Sequence, residues 1–374
     1  FMKAIKMVDL QLQYEAHKEA IDNAIFKVLN KTDFINGEDV KLFAGELADF
    51  VLADHVITCA NGTDALQLAL MALELPAKAE IIVPSFCYVA AAEAAALLGY
   101  KVVFADVLEN TFNIDPASLE RLITENTKVV IPVHLFGQSS DMLPILKIAQ
   151  KYNLYIIEDN AQSLGAVYHF PDGVSKYAGT IGHIGTTSFF PSKNLSCMGD
   201  GGAVFTNDEN LAKKLKMLAN HGQEQKYKHD IIGINSRLDT LQAAVLREKL
   251  KHLKQYNYAR LKAATIYTEL LKENKNLVTP FISKNGTHVF HQYTLKIKGD
   301  QRNKLKESLE ANHIPSMVYY PVPLHKQPAF SENVRVHHPV SEKLCEEVLA
   351  LPMHPYLEQE QILYICEKIN KYLK

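Results

Sequence analysis

The chain has 374 residues, of which 47% are hydrophobic and 22% charged, as in an ordinary globular protein. Its 40 basic and 42 acidic residues give a net charge of −2, so the sequence has neither a basic footprint for nucleic acid nor a membrane-surface helix. No apolar run reaches the roughly 18 residues that span a bilayer, and five scattered cysteines suit a reducing cytoplasm, where we expect the protein to act.

The first half of the chain alternates β-rich apolar runs with helical patterns. An amphipathic helix over 21–29 comes first. The predicted strands share continuous Val/Ile runs, and they cover 56–59, 80–83, 101–107, 129–135 and 154–158. Alternating strands and helices predict an α/β fold, in which helices cover the faces of a mostly parallel sheet.

The pattern changes after about residue 168. Short strands are predicted at 186–190 and 202–206, and one long helical stretch follows over 236–273. A strand at 291–297, a helix, an extended segment and two terminal helices complete the chain. This pattern predicts a smaller C-terminal α+β domain, so we expect a large domain over 1–245 and a small domain over 246–374.

Several common active sites are absent from the sequence. It contains neither GxxxxGK[ST] nor HExxH, and the first strand–helix junction lacks the GxGxxG of nicotinamide enzymes. The histidines have no zinc-ligand spacing, so we predict no metal site.

The turn Asn61–Ala65 connects the first predicted strand to a helix. A helix N-terminus offers free N–H groups and the positive end of a dipole to an anion, typically a phosphate. The alternative is an ordinary helix cap without a ligand.

Ile156–Gln162 ends a buried strand with two acids and an amide, at the sheet edge where open α/β folds bind ligands. A buried carboxylate needs a cation or a protonated ring nitrogen as its partner. The alternative is that these acids are only turn residues.

Lys193 lies between an apolar strand and a glycine-rich turn, in the sequence Ser188–Leu195. A lysine that is partly desolvated there could be the nucleophilic amine of a Schiff base. The alternative is an ordinary surface charge.

Two further segments could complete a site. Tyr88 follows the second strand and could stack on a flat ring, although core packing is the alternative. The polar loop Gly233–Asp239 opens the long helix, and the alternative for this loop is a capped helix start. A phosphate turn, a stacking aromatic, a buried acid and a Schiff-base lysine together are what pyridoxal phosphate requires.

At this point the sequence resembles the DegT/DnrJ/EryC1/StrS family of nucleotide-sugar aminotransferases, over practically the whole chain. The segments that carry the resemblance are 60–66, Glu158-Asp-Asn-Ala-Gln162, Ser188-Phe-Phe-Pro-Ser-Lys193, Gly199-Asp-Gly-Gly202 and Gly233-Ile-Asn-Ser-Arg-Leu-Asp239. The resemblance implies a pyridoxal-phosphate transferase of fold type I that works as a cytoplasmic homodimer with shared active sites.

The resemblance also implies roles for individual residues. Lys193 would bond to the cofactor and carry the proton, and Asp159 would pair with the pyridine nitrogen. Gln162 would lie beside the ring, and Tyr88 would stack on its other face. The remaining implied contacts are to the phosphate (Gly62, Thr63 and Ser188, with Asn235 from a second copy) and to the carboxylate of the amino donor (Arg237).

Within the family, the segments 221–224, 235–244, 320–324 and 326–328 look most like members that aminate C3 of UDP-2-acetamido-2-deoxy-3-oxo-glucuronate with glutamate, for cell-surface polysaccharide. Arg237, Tyr319, Tyr320 and His325 are therefore candidate substrate contacts. Two of them depart from that pattern: Tyr319 stands where a histidine is expected, and His325 where those members have asparagine.

Three alternatives remain open. The substrate could be another UDP- or dTDP-linked 3- or 4-keto deoxysugar. The dehydratase branch of the family is a second alternative, but the resemblance implies a histidine in place of the cofactor lysine there, and Lys193 argues against it. A non-catalytic regulator with the same fold is the third, and it predicts loss of site residues, whereas Lys193, Asp159 and Gln162 are present.

Overall fold

The computed structural model describes residues 3–333 and 337–374. In chain order the strands are β1 His55–Cys59, β2 Glu80–Pro84, β3 Lys101–Ala105, β4 Thr127–Val130, β5 Tyr155–Asp159, β6 Val167–His169, β7 Ser175–Tyr177, β8 Ile184–Ser188, β9 Gly202–Thr206, β10 Gln223–Gln225, β11 Lys228–His229, β12 Leu277–Val278, β13 Tyr293–Ile297 and β14 Val348–Leu351. The helices are α1 Leu10–Glu15, α2 Lys18–Lys31, α3 Glu38–Val51, α4 Gly62–Ala72, α5 Ala90–Leu97, α6 Pro116–Arg121, α7 Met142–Tyr152, α8 Glu209–Leu218, α9 Thr240–Leu250, α10 Leu253–Leu271, α11 Arg302–Ala311, α12 Pro339–Glu347 and α13 Gln359–Tyr372. Short 3₁₀ helices cover Leu135–Gly137, Leu324–Lys326 and Pro328–Asn333.

The largest sheet has the strand order β1-β9-β8-β5-β4-β2-β3. Its central strands are parallel, whereas β9 runs antiparallel between β1 and β8. Alternate residues of β2 enter opposite cores, since Ile81 and Val83 belong to one apolar cluster and Ile82 to another. Apolar cores on both faces explain the continuous Val/Ile runs, and the predicted α/β fold with a mostly parallel sheet is confirmed.

The carboxyl ends of β1, β2, β5 and β8 meet at one edge of this sheet. The last three strands are mutually parallel, and two antiparallel steps through β9 turn β1 in the same direction. The chain leaves these strands at Ala60, Ser85, Asn160 and Phe189, so the turns predicted to carry chemistry lie side by side.

The C-terminal part of the chain forms the antiparallel sheet β12-β13-β14, which packs with α10, α11 and α13. Tyr267, Leu295 and Ile365 are fully buried in its own apolar core. Helix α9 packs instead on α2 and α3 of the first part. A domain division at residue 245 stays a prediction.

The prediction of a single helix over 236–273 is wrong. Asp239, at the N-cap position of α9, is extended (φ −64°, ψ 144°) and its side chain makes no capping hydrogen bond; the helical stretch breaks again at Lys251–His252 before α10. Helices α3 and α8 and strand β14 were not predicted. For α3 the signal was present, because Val40, Phe43, Leu47 and Val51 recur at helical spacing along its buried face.

Among the helices in the described part of the chain, none combines the length and the apolar character needed to cross a bilayer.

Candidate active site

A cavity of about 490 Å³ lies at the edge of the sheet where β1, β2, β5 and β8 end. This volume is within the usual range for small-molecule sites. The sequence-predicted residues that line it are Gly62, Thr63, Tyr88, Asp159, Gln162, Ser188, Lys193, Tyr319 and Tyr320. The structure therefore brings together residues that are spread over most of the chain.

Lys193 follows β8 in a tight turn, in which its N–H donates to the carbonyl of Phe190 at 2.8 Å. Burial lowers the pKa of Lys193 to about 8, and the charge of Asp159 opposes that shift only in part. A substantial fraction of this amine is neutral near physiological pH, as a nucleophile requires. The surface-charge alternative does not fit a desolvated side chain in a cavity wall.

Asp159 is the last residue of β5, and its carboxyl group is buried. Its Oδ1 accepts a hydrogen bond from the N–H of Ala161 at 3.0 Å. Burial nevertheless raises the pKa of Asp159, because this bond and the charge of Lys193 compensate only part of the desolvation. A cationic group inside the cavity would stabilise the carboxylate.

The side chain of Gln162 forms hydrogen bonds with two other segments that line the cavity. Its Oε1 accepts from the N–H of Phe136 at 2.7 Å, and its Nε2 donates to the hydroxyl of Tyr320 at 3.1 Å. Both ends of the amide are occupied, so its orientation is fixed. The carbonyl of Phe136 in turn accepts from the N–H of Gln292, which also lines the cavity.

The N-terminus of α4 also lines the cavity. The side chain of Asn61 caps the helix by accepting from the N–H of Asp64 at 2.8 Å. Gly62 packs so closely on β8 that a Cβ atom there would come within 2.7 Å of Ser188 Cβ. The first N–H groups of the helix and the hydroxyl of Ser188 are therefore adjacent, as a phosphate site requires.

Tyr88 is 57% exposed, whereas its neighbours Phe86 and Cys87 are buried. Core packing, the alternative for Tyr88, is therefore wrong. Its ring lies 6.2 Å from that of Tyr320, measured between centroids, on the wall of the cavity.

Three predicted residues do not reach this cavity within their own chain. Asn235 is exposed, and Arg237 is half-buried outside the cavity lining. Their loop is anchored through Ser236, whose hydroxyl donates to Asp64 Oδ2 at 2.6 Å. His325 is fully buried behind the wall and contacts protein groups on both ring nitrogens.

Glu158 and His134 form a buried pair to which sequence reasoning gave no role. The ring Nδ1 of His134 accepts from the N–H of Ser140, so its Nε2–H donates to Glu158 at 2.7 Å. Three backbone N–H groups, those of Gly179, Ile181 and Gly182, also donate to Glu158 at 2.5–2.8 Å. Although burial opposes it, these bonds lower the pKa of Glu158.

The sequence did contain a signal for Glu158, because successive side chains of a strand point to opposite faces of the sheet. Glu158 and Asp159 are adjacent in β5, so only one of them could be expected to face the ligand. His291 and Gln292 were also missed, because they were interpreted only as part of the strand predicted at 291–297. Both line the cavity from the C-terminal part of the chain.

The residues present fit pyridoxal phosphate. The desolvation of the buried Asp159 carboxylate is only partly compensated, so this group suits a protonated ring nitrogen. The desolvated amine of Lys193 suits a covalent bond to an aldehyde. The exposed ring of Tyr88 lies on the cavity wall, and the N-terminus of α4 is adjacent to Ser188.

Comparison with known proteins gives a consistent result. A family model for DegT/DnrJ/EryC1/StrS aminotransferases matches residues 15–370. The UDP-2-acetamido-2-deoxy-3-oxo-D-glucuronate aminotransferase of Pseudomonas aeruginosa is 45% identical over 98% of this chain and 99% of its own. The UDP-N-acetyl-3-dehydro-α-D-glucosamine 3-aminotransferase of Acidithiobacillus ferrooxidans is 43% identical over 99% and 98%.

A relative with a different name and a solved structure extend the comparison. The pleiotropic regulatory protein of Geobacillus stearothermophilus is 42% identical over 99% of both chains. The crystal structure of DesV from S. venezuelae with a ketimine intermediate has a TM-score of 0.95 and 36% identity, over 100% of this chain and 99% of that one.

Proposed function

The chain belongs to the DegT/DnrJ/EryC1/StrS aminotransferase family and is a pyridoxal-phosphate-dependent aminotransferase of nucleotide-linked keto-sugars; we propose that it transfers the amino group of L-glutamate to C3 of UDP-2-acetamido-2-deoxy-3-oxo-glucuronate. The observation that carries an amino-transfer reaction is the pairing of Lys193 with Asp159 in one cavity. Two relatives named for C3 amination of UDP-linked sugars support the choice of carbon.

Each residue then has a defined task. Pyridoxal phosphate, when bound, supplies the electron sink that makes the substrate carbon acidic. Lys193 Nζ removes a proton from the carbon of the donor and later returns one to the carbon of the sugar. Asp159 holds the proton on the ring nitrogen, and Tyr88 covers one face of the ring. Gly62, Thr63 and Ser188 hold the phosphate.

The test is a panel of half-reactions. Glutamate first converts the cofactor to its amine form, which removes the visible absorbance band, and each keto-sugar nucleotide is then added separately. We expect UDP-2-acetamido-2-deoxy-3-oxo-glucuronate to restore the band faster than the corresponding 3-oxo-glucosamine and faster than a dTDP-4-keto-6-deoxyglucose. Restoration only by the 4-keto sugar would contradict amination at C3.

A regulatory function is the second candidate, because one relative has a regulatory name. The same panel decides between the two, since a non-catalytic protein would leave the absorbance of the cofactor unchanged on adding glutamate. The retained Lys193, Asp159 and Gln162 favour the enzyme.

The cellular setting is also a proposal. All five cysteines are buried and free in the described structure, which suits a reducing cytoplasm. The amino-sugar product would there be a precursor of cell-surface polysaccharide such as O-antigen.

We place Asn235 and Arg237 in the active site of a second copy, which makes the protein a homodimer with shared sites. Apolar side chains on and after α2 support this assembly, since Phe26, Leu29, Phe34 and Ile35 are 42–59% exposed. The backbone of Ile35 pairs with that of Asp239, so this apolar face lies beside the loop that carries both residues.

Mixing two inactive variants tests the shared site. Lys193→Ala and Arg237→Ala are dissociated, combined in equal amounts and reassembled. In a mixed dimer one site receives both intact residues, and half of all dimers are mixed, so activity should return to about a quarter of the parent level. If the mixture stays inactive although subunit exchange is verified, Arg237 serves its own chain.

A further inference from the structure

A buried hydrogen bond joins the wall segment after Tyr320 to the turn that precedes Tyr88. Ser85 Oγ and His325 Nδ1 are 2.6 Å apart, and both side chains are fully buried. The main chains are joined as well, because the N–H of Leu324 donates to the carbonyl of Ser85 at 2.8 Å.

The direction of each hydrogen bond follows from the charge of Glu342. Its hydrogen bond with Lys326 lowers the pKa of Glu342 to about 2, so this carboxylate accepts from His325 Nε2–H at 3.2 Å. Burial lowers the pKa of His325 despite that contact, and the ring is neutral. Its Nδ1 therefore accepts from the hydroxyl of Ser85.

The order serine, histidine, acid is also that of hydrolases with an activated serine. Here Ser85 is fully buried and does not line the cavity, so no substrate carbonyl can reach its Oγ. The oxygen of Glu342 that meets His325 also accepts from the N–H of His338 at 3.2 Å. The three groups form a fixed connection between two segments of the wall.

These segments carry Tyr88 and Tyr320, two of the aromatic side chains that line the cavity. Tyr88 lies three residues after Ser85, and Tyr320 lies five residues before His325. Their ring centroids are 6.2 Å apart, and Tyr320 also receives the hydrogen bond from Gln162. The contacts of His325 and Leu324 with Ser85 therefore join the two segments that carry these rings.

We propose that the Ser85–His325–Glu342 chain is a positioning device that holds Tyr320 against Tyr88 at the width that the keto-sugar nucleotide requires. This inference rests on the proposed function. It assigns His325 a positioning role instead of the substrate contact predicted from the sequence. Glutamate is much smaller than a sugar nucleotide, so its half-reaction depends less on this width.

The test compares both half-reactions in the holoenzyme. In His325→Ala and in Ser85→Ala we expect the half-saturating concentration of UDP-2-acetamido-2-deoxy-3-oxo-glucuronate to rise about tenfold, as for the loss of one buried hydrogen bond. The limiting rate with this sugar, and the half-reaction with glutamate, should stay within about twofold. The double variant should match either single variant, because both remove the same bond.

Further variants separate positioning from general destabilisation. His325→Asn keeps an acceptor near the position of Nδ1 and should restore the parent value, whereas His325→Gln should not. His337→Ala is the matched control, since this exposed histidine lies 3.5 Å from the same Glu342. The visible circular dichroism of the bound cofactor should change in His325→Ala and in Ser85→Ala, and should return in His325→Asn.

Two results would overturn the proposal. One is a lower melting temperature in both alanine variants with parent-like dichroism and unchanged half-saturation. The other is an additive loss of about a hundredfold in the double variant. If glutamate fails to convert the cofactor of the parent, the proposed function is wrong, and the dichroism series still tests the positioning role by itself.

Discussion

Lys193→Ala is expected to abolish turnover, a loss of at least about 10⁴-fold, while the protein keeps its fold. The amine of Lys193 has two tasks, since it bonds to the cofactor and moves the proton between carbon atoms. Its side chain lies in a cavity wall and not in an apolar core, and without it Asp159 still accepts a hydrogen bond from Ala161, so we expect the fold to persist. Steady-state turnover, visible absorbance and far-UV circular dichroism of the variant check this result.

Lys249 provides the control for this assignment. It is a second buried lysine whose pKa burial lowers to about 8, but it lies outside the cavity and donates to Ser196 at 3.2 Å. Borohydride should fix the cofactor of the parent protein to the peptide that contains Lys193. Fixation at Lys249 in the parent, or a visible band in Lys193→Ala that borohydride fixes to another lysine, would refute the assignment.

Asp159→Asn should still bind the cofactor but slow both half-reactions by at least about 100-fold. An amide has no charge with which to hold the proton on the ring nitrogen, so the electron sink weakens. The amide oxygen can still accept from the N–H of Ala161, so we expect the free energy of unfolding to change little. Single-turnover absorbance changes and urea unfolding measure the two effects separately.

Glu158→Gln, at the neighbouring position in the chain, is the matched control for Asp159→Asn. Both oxygens of Glu158 accept hydrogen bonds from backbone N–H groups, and a glutamine NH₂ would meet such donors. We expect the free energy of unfolding to fall by about 1–3 kcal/mol in this variant. If Asp159→Asn keeps a near-normal rate, or if the two variants behave alike, Asp159 is only a turn residue.

The parts of the site that were predictable from the sequence depend on local patterns. The turn at Ala60 and Asn61 joins a strand to a helix, and the acid at Asp159 ends an apolar run, so both indicate the carboxyl edge of a parallel sheet. Lys193 was recognisable because its apolar strand and glycine-rich turn are adjacent to it in the chain. The α/β fold followed from the same strand–helix alternation.

Other features depend on contacts between distant positions, and the sequence carries no local signal for them. The family resemblance predicted a substrate contact for His325. The orientation of its ring is instead set by Ser85, 240 positions away. The extended backbone at Asp239 likewise depends on its pairing with Ile35, so the helical pattern predicted the start of α9 too early.

The walls of the active-site cavity come from segments as far apart as Asn61 and Tyr320. A ligand there recognises only the assembled native state, so its binding energy adds to the stability of the entire chain. At a free concentration one hundred times the Kd, the gain is about 2.7 kcal/mol. We therefore expect the protein with bound cofactor to resist proteolysis longer than the protein without it.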